Sequence, residues 1–214
     1  MCRQFDLQLV AAPDVLPIYE REGIRAAYWQ IAFESPVGDL PDMPRHDVVF
    51  LANVISEPRR KLLEFLRGLQ GVNVGIYGDW EHADGRNTYD CGAGEALYKL
   101  AKIAIANMAY PDQTSYVSNR PIQALVAGGA VLMHQHVPLM EQMMGLRHMV
   151  HYIQWRDFAE LEALIRVYLK PQFENQRIKI VDAGRDYARA HHTYDQRVDQ
   201  LFGELLPMIE GVKV

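Results

Sequence analysis

From residue 47 onward, short uninterrupted apolar runs alternate regularly with amphipathic segments, and few folds tolerate that pattern. DVVFLA at 47–52, residues 72–77, IAIAN at 103–107, AVLMH at 130–134 and residues 150–155 each read as a strand buried on both faces. Ser56, with Pro58 in the first turn, starts a helix that buries Leu62, Leu63, Leu66 and Leu69. Further helices are expected near 94–101, from 118 to 128 and over 138–146. Asp157 caps the next one, Glu160 completes a capping-box-like pair, and Phe158, Leu161, Leu164, Ile165 and Tyr168 form its apolar face. Helices over 172–190 and 194–209 close the chain. Such strands joined through helices imply a parallel sheet covered on both faces, so the fold class is α/β and Rossmann-like, with C-terminal helices. Sheets of this kind place ligands beyond the carboxyl ends of their strands.

The first 34 residues form a single β-α-β unit: a strand at 5–12, a helix at 13–22 closed by Gly23, and a strand at 24–32. One such unit is too small to bury its own core and reads as the remnant of a preceding N-terminal domain. Residues 35–46 carry three prolines and mixed charge and read as a linker, leaving 47–214 as the main domain.

Composition narrows the class. With 49% apolar and 23% charged residues the chain is globular rather than disordered. A net charge of −5 argues against nucleic acid held by charge alone. Two cysteines, Cys2 and Cys91, give no disulfide framework and suit a reducing cytoplasm. No apolar run is long enough to span a membrane, and MCRQFDLQLV lacks the basic-then-apolar pattern of a signal peptide. A cytoplasmic protein is expected.

Three segments can carry chemistry. In TSYVSNRPIQALVAGGA (114–130), Ser118, Asn119 and Arg120 open a helix whose N-terminal N–H groups and dipole attract phosphate, and Arg120 adds a planar cation suited to a diphosphate. The same residues also fit a simple Ser-Asn cap with a surface arginine. The loop running from Asn53 into Arg59, Arg60 and Lys61 feeds another helix start, where cations are unfavourable without a nearby anion; a solvated basic face is the alternative. In YGDW, Gly78 permits close backbone approach while Tyr77 and Trp80 can flank a flat ring or pack the loop onto the core. His134-Gln135-His136 and His148 with His151 lack a third ligand at a fixed spacing, so no metal is expected. His191-His192 suits a helix end. The spacings of dinucleotide, P-loop and nucleophile-elbow motifs are absent.

Taken in order, DVVFLANVISEPRRKLLEFL, VNVGIYGDW, LYKLAKIAIAN, SNRPIQALVAGGAVLM, HYIQWRDFAELEALIRVYL and AHHTYDQRVDQLF resemble the C-terminal, donor-binding half of GT-B-fold glycosyltransferases, of the spore-maturation-type group 1 enzymes. The resemblance covers roughly residues 47–204. It implies a nucleotide-diphosphate-sugar donor and no bound metal or other cofactor. It places Asn53, Arg60, Tyr77, Gly78, Trp80, Ser118, Asn119, Arg120 and Gln123 at the donor, with Arg120 and the helix start on the diphosphate and Arg60 approaching it. Gln123 stands where related enzymes often carry a glutamate that accepts from the ribose. His192, Tyr194 and Arg197 would be structural. The acceptor-binding domain is nearly missing, so no catalytic base is assigned, although Asp79, Glu81 and His134 lie near plausible loop ends. Two functions follow from the resemblance. The first is a glycosyltransferase or its donor half, acting as a homo-oligomer or with a separate acceptor-binding chain on an unidentified acceptor, nucleic acid being disfavoured by charge. The second is a non-catalytic nucleotide-binding or assembly module.

Overall fold

A computed structural model describes residues 5–34, 39–52, 56–79, 83–85, 92–108 and 115–209. It opens with a two-stranded parallel sheet, β1 (Gln8–Val10) beside β2 (Ala26–Tyr28), joined through α1 (Leu16–Arg21). The main sheet has five strands: β3 (Val48–Leu51), β4 (Val74–Tyr77), β5 (Ile103–Ala106), β6 (Val131–Gln135) and β7 (Ile153–Trp155). They lie in the order β4-β3-β5-β6-β7 and every pairing is parallel. The expected strands are therefore present, four of them shorter than expected and β6 shifted by one residue to end at Gln135; all four residues of β3 are buried.

Helices cover both faces. α2 (Glu57–Gly68) and α6 (Phe158–Tyr168) bury Leu62, Leu66, Leu161 and Ile165 against one face of the sheet, together with Phe50, Met133 and Trp155. α3 (Ala93–Leu100), α4 (Asn119–Ala127) and α5 (Met140–Met144) bury Leu97, Ile122, Leu125, Met140 and Met144 on the other. Asp157 caps α6 by accepting from Glu160 N, and the Glu160 carboxylate accepts from Arg156 N at 2.7 Å. α5 is shorter than expected because Gly145, in the left-handed region at φ 64°, ends it.

α7 (Glu174–His191) crosses α4 closely. A Cβ on Gly184 would fall on the His151 carbonyl and lie 2.8 Å from Leu125 Cδ2. Arg189 Nη2 donates to Val126 O at 3.1 Å, beside the end of α4. α8 (Tyr194–Gln200) begins with a full capping box between Thr193 and Gln196 and continues as one π-helical turn (Leu201–Leu205) and a 3-10 turn (Leu206–Met208), where the expected helix ran straight to 209. Pro207, which offers no N–H, marks that loosening.

The junction between α7 and α8 holds the segment that follows β2. Trp29 Nε1 donates to Arg197 O at 3.2 Å, Phe33 N donates to His192 O at 3.2 Å, and Tyr194 N donates to Glu34 Oε1 at 3.0 Å. Beneath it His192 Nε2 donates to Met144 O and its Nδ1 accepts from Arg197 Nη2 at 3.0 Å. Among the described residues no helix is long and apolar enough to cross a membrane.

Candidate functional site

The order of the sheet reverses between β3 and β5: from β3 the chain steps outward to β4, and from β5 it steps the opposite way to β6. That seam is where open parallel sheets bind ligands. α2 leaves β3 onto one face and α4 leaves β5 onto the other, so two helix N-termini meet the carboxyl edge on either side of it.

Both helices begin in the same unusual way. Ser56 and Ser118 occupy the N-cap positions in extended backbone, yet neither hydroxyl makes a capping bond, which corrects the expected cap at Ser56. An N-cap side chain accepts from the second or third residue of the helix. In α2 the second residue is Pro58, and in α4 the third is Pro121, so each helix lacks one of those two donors. The Ser56 hydroxyl is buried without a partner. First-turn N–H groups have no acceptor within a helix, and they carry the positive end of its dipole. Both starts are thus suited to an external anion.

Arginine reinforces each. Arg120 sits half-buried in the first turn of α4 beside Asn119, and Gln123, one turn further, is only 6% exposed. In α2 the structure separates two neighbours. Arg60, the expected phosphate ligand, is 58% exposed on the outer face with its guanidinium on the Glu57 carboxylate. Arg59 turns inward and is 5% exposed. Its charge reaches His134 at the end of β6, whose pKa is pushed down to about 4, chiefly by burial and further by Arg59. His134 is therefore neutral at pH 7, with Nδ1 donating to Gln135 O at 2.5 Å. That bond leaves Nε2 as an acceptor.

Tyr77 and Gly78 close β4. Tyr77 is buried, its hydroxyl lies 2.9 Å from His46 Nε2, and its ring meets His46 edge to face at 5.7 Å between centroids. Its side chain thus serves the packing alternative. Gly78, at φ 134°, donates to Gly85 O at 2.9 Å in a tight turn that no side chain would tolerate well, and Asp79 is exposed. Asn53, Trp80 and Glu81 lie outside the described residues. Among the described residues no cluster of three His, Cys, Asp or Glu is arranged for a metal ion. The histidines serve the backbone instead: His148 Nδ1 accepts from Gln154 N and His151 Nδ1 from Arg147 N.

Sequence reasoning named Arg59 within a basic run but chose Arg60 over it, and missed the polar residues that end the central strands. Asn107 follows β5 and Gln135 ends β6, each the first amide after a wholly apolar or nearly apolar run. That position, at or just past the carboxyl end of a buried strand, is the signal that marks them.

The arrangement has relatives. Residues 59–203 match the glycosyl transferase-like family model. No curated protein matches the sequence. The fold is shared with sucrose-phosphate synthase from Thermosynechococcus elongatus (TM-score 0.66, 13% identity, 95% of this chain and 59% of that one). A glycosyltransferase from Rickettsia africae gives TM-score 0.68 at 9% identity, over 97% of this chain and 65% of the other. HepE of Anabaena, solved in complex with UDP, gives 0.66 at 12%, over 96% and 65%. The chain spans 59% of the first of these structures and 65% of each of the other two.

Proposed function

Because the chain belongs to the glycosyl transferase-like family, we propose that it binds a nucleoside-diphosphate sugar at the seam between β3 and β5 and serves the transfer of that sugar to an acceptor. The observation that carries this reading is the pair of proline-bearing, uncapped helix starts at Ser56 and Ser118, each with an arginine in its first turn. In sugar transfer the bond from the anomeric carbon to the phosphate oxygen breaks, and its electron pair leaves on the diphosphate. Helix N–H groups and the Arg59 and Arg120 guanidinium groups stabilise that departing charge, the task preorganised dipoles do best. They supply positive charge without a metal ion or other cofactor, so nucleotide binding is expected to persist in a chelator. Ser118, Asn119 and Arg120 hold the diphosphate, Gln123 faces the ribose, and Asn53, Gly78 and Trp80 complete the nucleotide side; Arg59 takes the place expected of Arg60, and Tyr77 supports the loop from beneath.

A second reading, a binding module whose acceptor side comes from a partner chain, is favoured by β1 and β2. A parallel sheet is ordinarily covered on both faces and extended by further strands, whereas among the described residues β1 pairs with β2 alone. A second copy or a separate acceptor-binding chain would complete it, in a cytoplasmic setting.

The test is thermal unfolding with uridine, guanosine, adenosine, cytidine and thymidine diphosphates and their sugars, with and without chelator. A ligand at about 100 times its Kd stabilises by about 2.7 kcal/mol. Arg120→Ala is expected to weaken binding by about 1.5–3 kcal/mol, the range for a hydrogen bond to a charged group. No stabilisation by any of these nucleotides would overturn the proposal. Sugar transfer or donor hydrolysis by the purified chain would eliminate the partner-dependent reading.

A further inference from the structure

β4 and β7 are the outer strands of the main sheet, and an outer strand presents N–H and C=O groups that another chain can pair with. On β4, residues 84 and 85 return to take them: Ile76 N donates to Asp84 Oδ2 at 2.7 Å, Asp84 N to Ile76 O at 2.8 Å and Gly78 N to Gly85 O at 2.9 Å. No loop after β7 does the same, because Asp157 caps α6 two residues beyond Trp155. The chain before the strand covers it instead. Residues 147–151 fold back along β7, and the outward groups on and beside the strand find partners. Gln154 N donates to His148 Nδ1 at 2.9 Å, Met149 N donates to Tyr152 O at 2.7 Å, and Arg156 N donates to the Glu160 carboxylate at 2.7 Å. The root of the turn is fastened separately: His151 Nδ1 accepts from Arg147 N at 3.1 Å, and its ring stacks on Tyr187 of α7 with centroids 4.5 Å apart.

This path strains the backbone. Met149 sits at φ 61°, the one non-glycine residue in the left-handed region among the described residues, and both it and Val150 are exposed. The bonds to β7 account for that conformation, which brings Met149 N onto Tyr152 O and the His148 ring onto Gln154 N. The key acceptor can also be switched off. Nδ1 of His148 accepts only while it carries no proton; a proton there sets two donors face to face and breaks the bond. Around the ring stand Glu141 of α5, which accepts from His148 N at 2.6 Å, Arg156 and Glu160 at the start of α6, and the Tyr152 ring, edge-on at 6.3 Å. Desolvation holds His148 below the ordinary histidine value; Glu141 opposes that, Arg156 adds to it and Glu160 opposes it. The opened turn therefore binds a proton more readily than the closed one, so acid favours opening.

We propose that residues 147–151 are a proton-sensitive plug on the β7 edge: closed, the turn keeps the sheet from pairing with a strand of a second copy of the chain, and protonation of His148 opens it. The plug is independent of the sugar-transfer reading, since none of its residues lies at the seam between β3 and β5. It also gives the strained Met149 and the outward-facing His148 a common purpose, guarding the outer strand that the fold would otherwise leave bare.

The experiment is amide hydrogen exchange by NMR on the full chain from pH 7 to pH 5, with sedimentation velocity on the same samples, for the native protein, His148→Asn and His148→Leu. Asparagine keeps an acceptor oxygen close to the place of Nδ1 and takes up no proton; leucine keeps no acceptor. Protection of the Gln154 amide is read relative to Val131, whose N–H donates to Lys102 O within the sheet, so that any general loss of stability in acid cancels. That ratio should fall about tenfold between pH 7 and pH 5 in the native protein, the worth of about one hydrogen bond. It should stay level in His148→Asn and be lost already at pH 7 in His148→Leu. Self-association that rises with protein concentration should appear wherever the protection is lost. Should His148→Leu fold poorly, Met149→Val carries the comparison: a β-branched residue does not hold the left-handed turn, so Gln154 should lose the same protection at pH 7. Unchanged Gln154 protection in these variants, an acid response equal in native protein and His148→Asn, or loss of protection without self-association overturns the proposal.

Discussion

Gly184→Ala should destabilise the protein even though helix propensity alone predicts the reverse. Gly184 lies in the interior of α7, where an alanine ordinarily gains about 1 kcal/mol. Its Cβ would fall on the His151 carbonyl and 2.8 Å from Leu125 Cδ2, inside the 3.0 Å that real Cβ atoms keep. Leu125 can rotate, but a backbone carbonyl in a packed loop cannot. Overpacking against a rigid neighbour costs about 1–3 kcal/mol, with this geometry toward the upper end, so the net loss is about 1–2 kcal/mol. For a chain of this length that lowers Tm by roughly 2–8 °C. Gly68→Ala is the control: it ends α2, has nothing within 4 Å of its would-be Cβ, and should raise stability by up to about 1 kcal/mol. Thermal melts and urea titrations of the three proteins check this. A Gly184→Ala protein melting at or above the native temperature would show that α7 does not rest on the His151 loop.

Acid sensitivity follows from two buried imidazoles. His134 and His192 are held near pKa 4, by burial first, and each would titrate near 6.5 in the unfolded chain. The unfolded state therefore binds more protons between those values, so their contribution is whole above pH 6.5 and falls away toward pH 4. From pH 7 to pH 5 each loses about 2 kcal/mol. Urea midpoints should drop accordingly, and a flat profile would refute the buried neutral state. Asp157→Ala should lower stability by about 1 kcal/mol through loss of the Glu160 N–H cap, read as a fall in urea midpoint at constant slope. Gly145→Ala should be more damaging, since φ is 64° there and the new Cβ would meet the Tyr187 hydroxyl; a melt within a degree of native would contradict that packing.

The strands were legible because parallel strands buried on both faces must be apolar throughout, and IAIA or VVFL has no other easy home. Helix starts were legible as residues but not as bonds. Ser56 reads as a cap, yet Pro58 removes one donor from its reach, and only the finished turn shows the hydroxyl left over. Arg59 and Arg60 differ by about 100° around one helix. Which of them points inward depends on how α2 rolls against Phe50 and Ile105, and no local pattern encodes that. The edge formed where the central strands end was invisible for a related reason. Asn107, Gln135 and Trp155 are far apart in sequence and become neighbours only through the register of β5, β6 and β7.

The strand order also governs when the seam between β3 and β5 comes into being as the chain folds. Val48 pairs with Val74 on one side and with Ile103 on the other, about twice as far along the chain. The β5–β6 and β6–β7 pairings span distances like the shorter one. Doubling a loop adds about 0.6 kcal/mol of closure entropy, which favours formation of the β3–β4 unit and the β5–β6–β7 unit before they join. The Ser56 and Ser118 helix starts belong to different units. A chain assembled in that order completes the seam only when the two parts join, so a ligand of the seam should be captured only in the last phase of refolding.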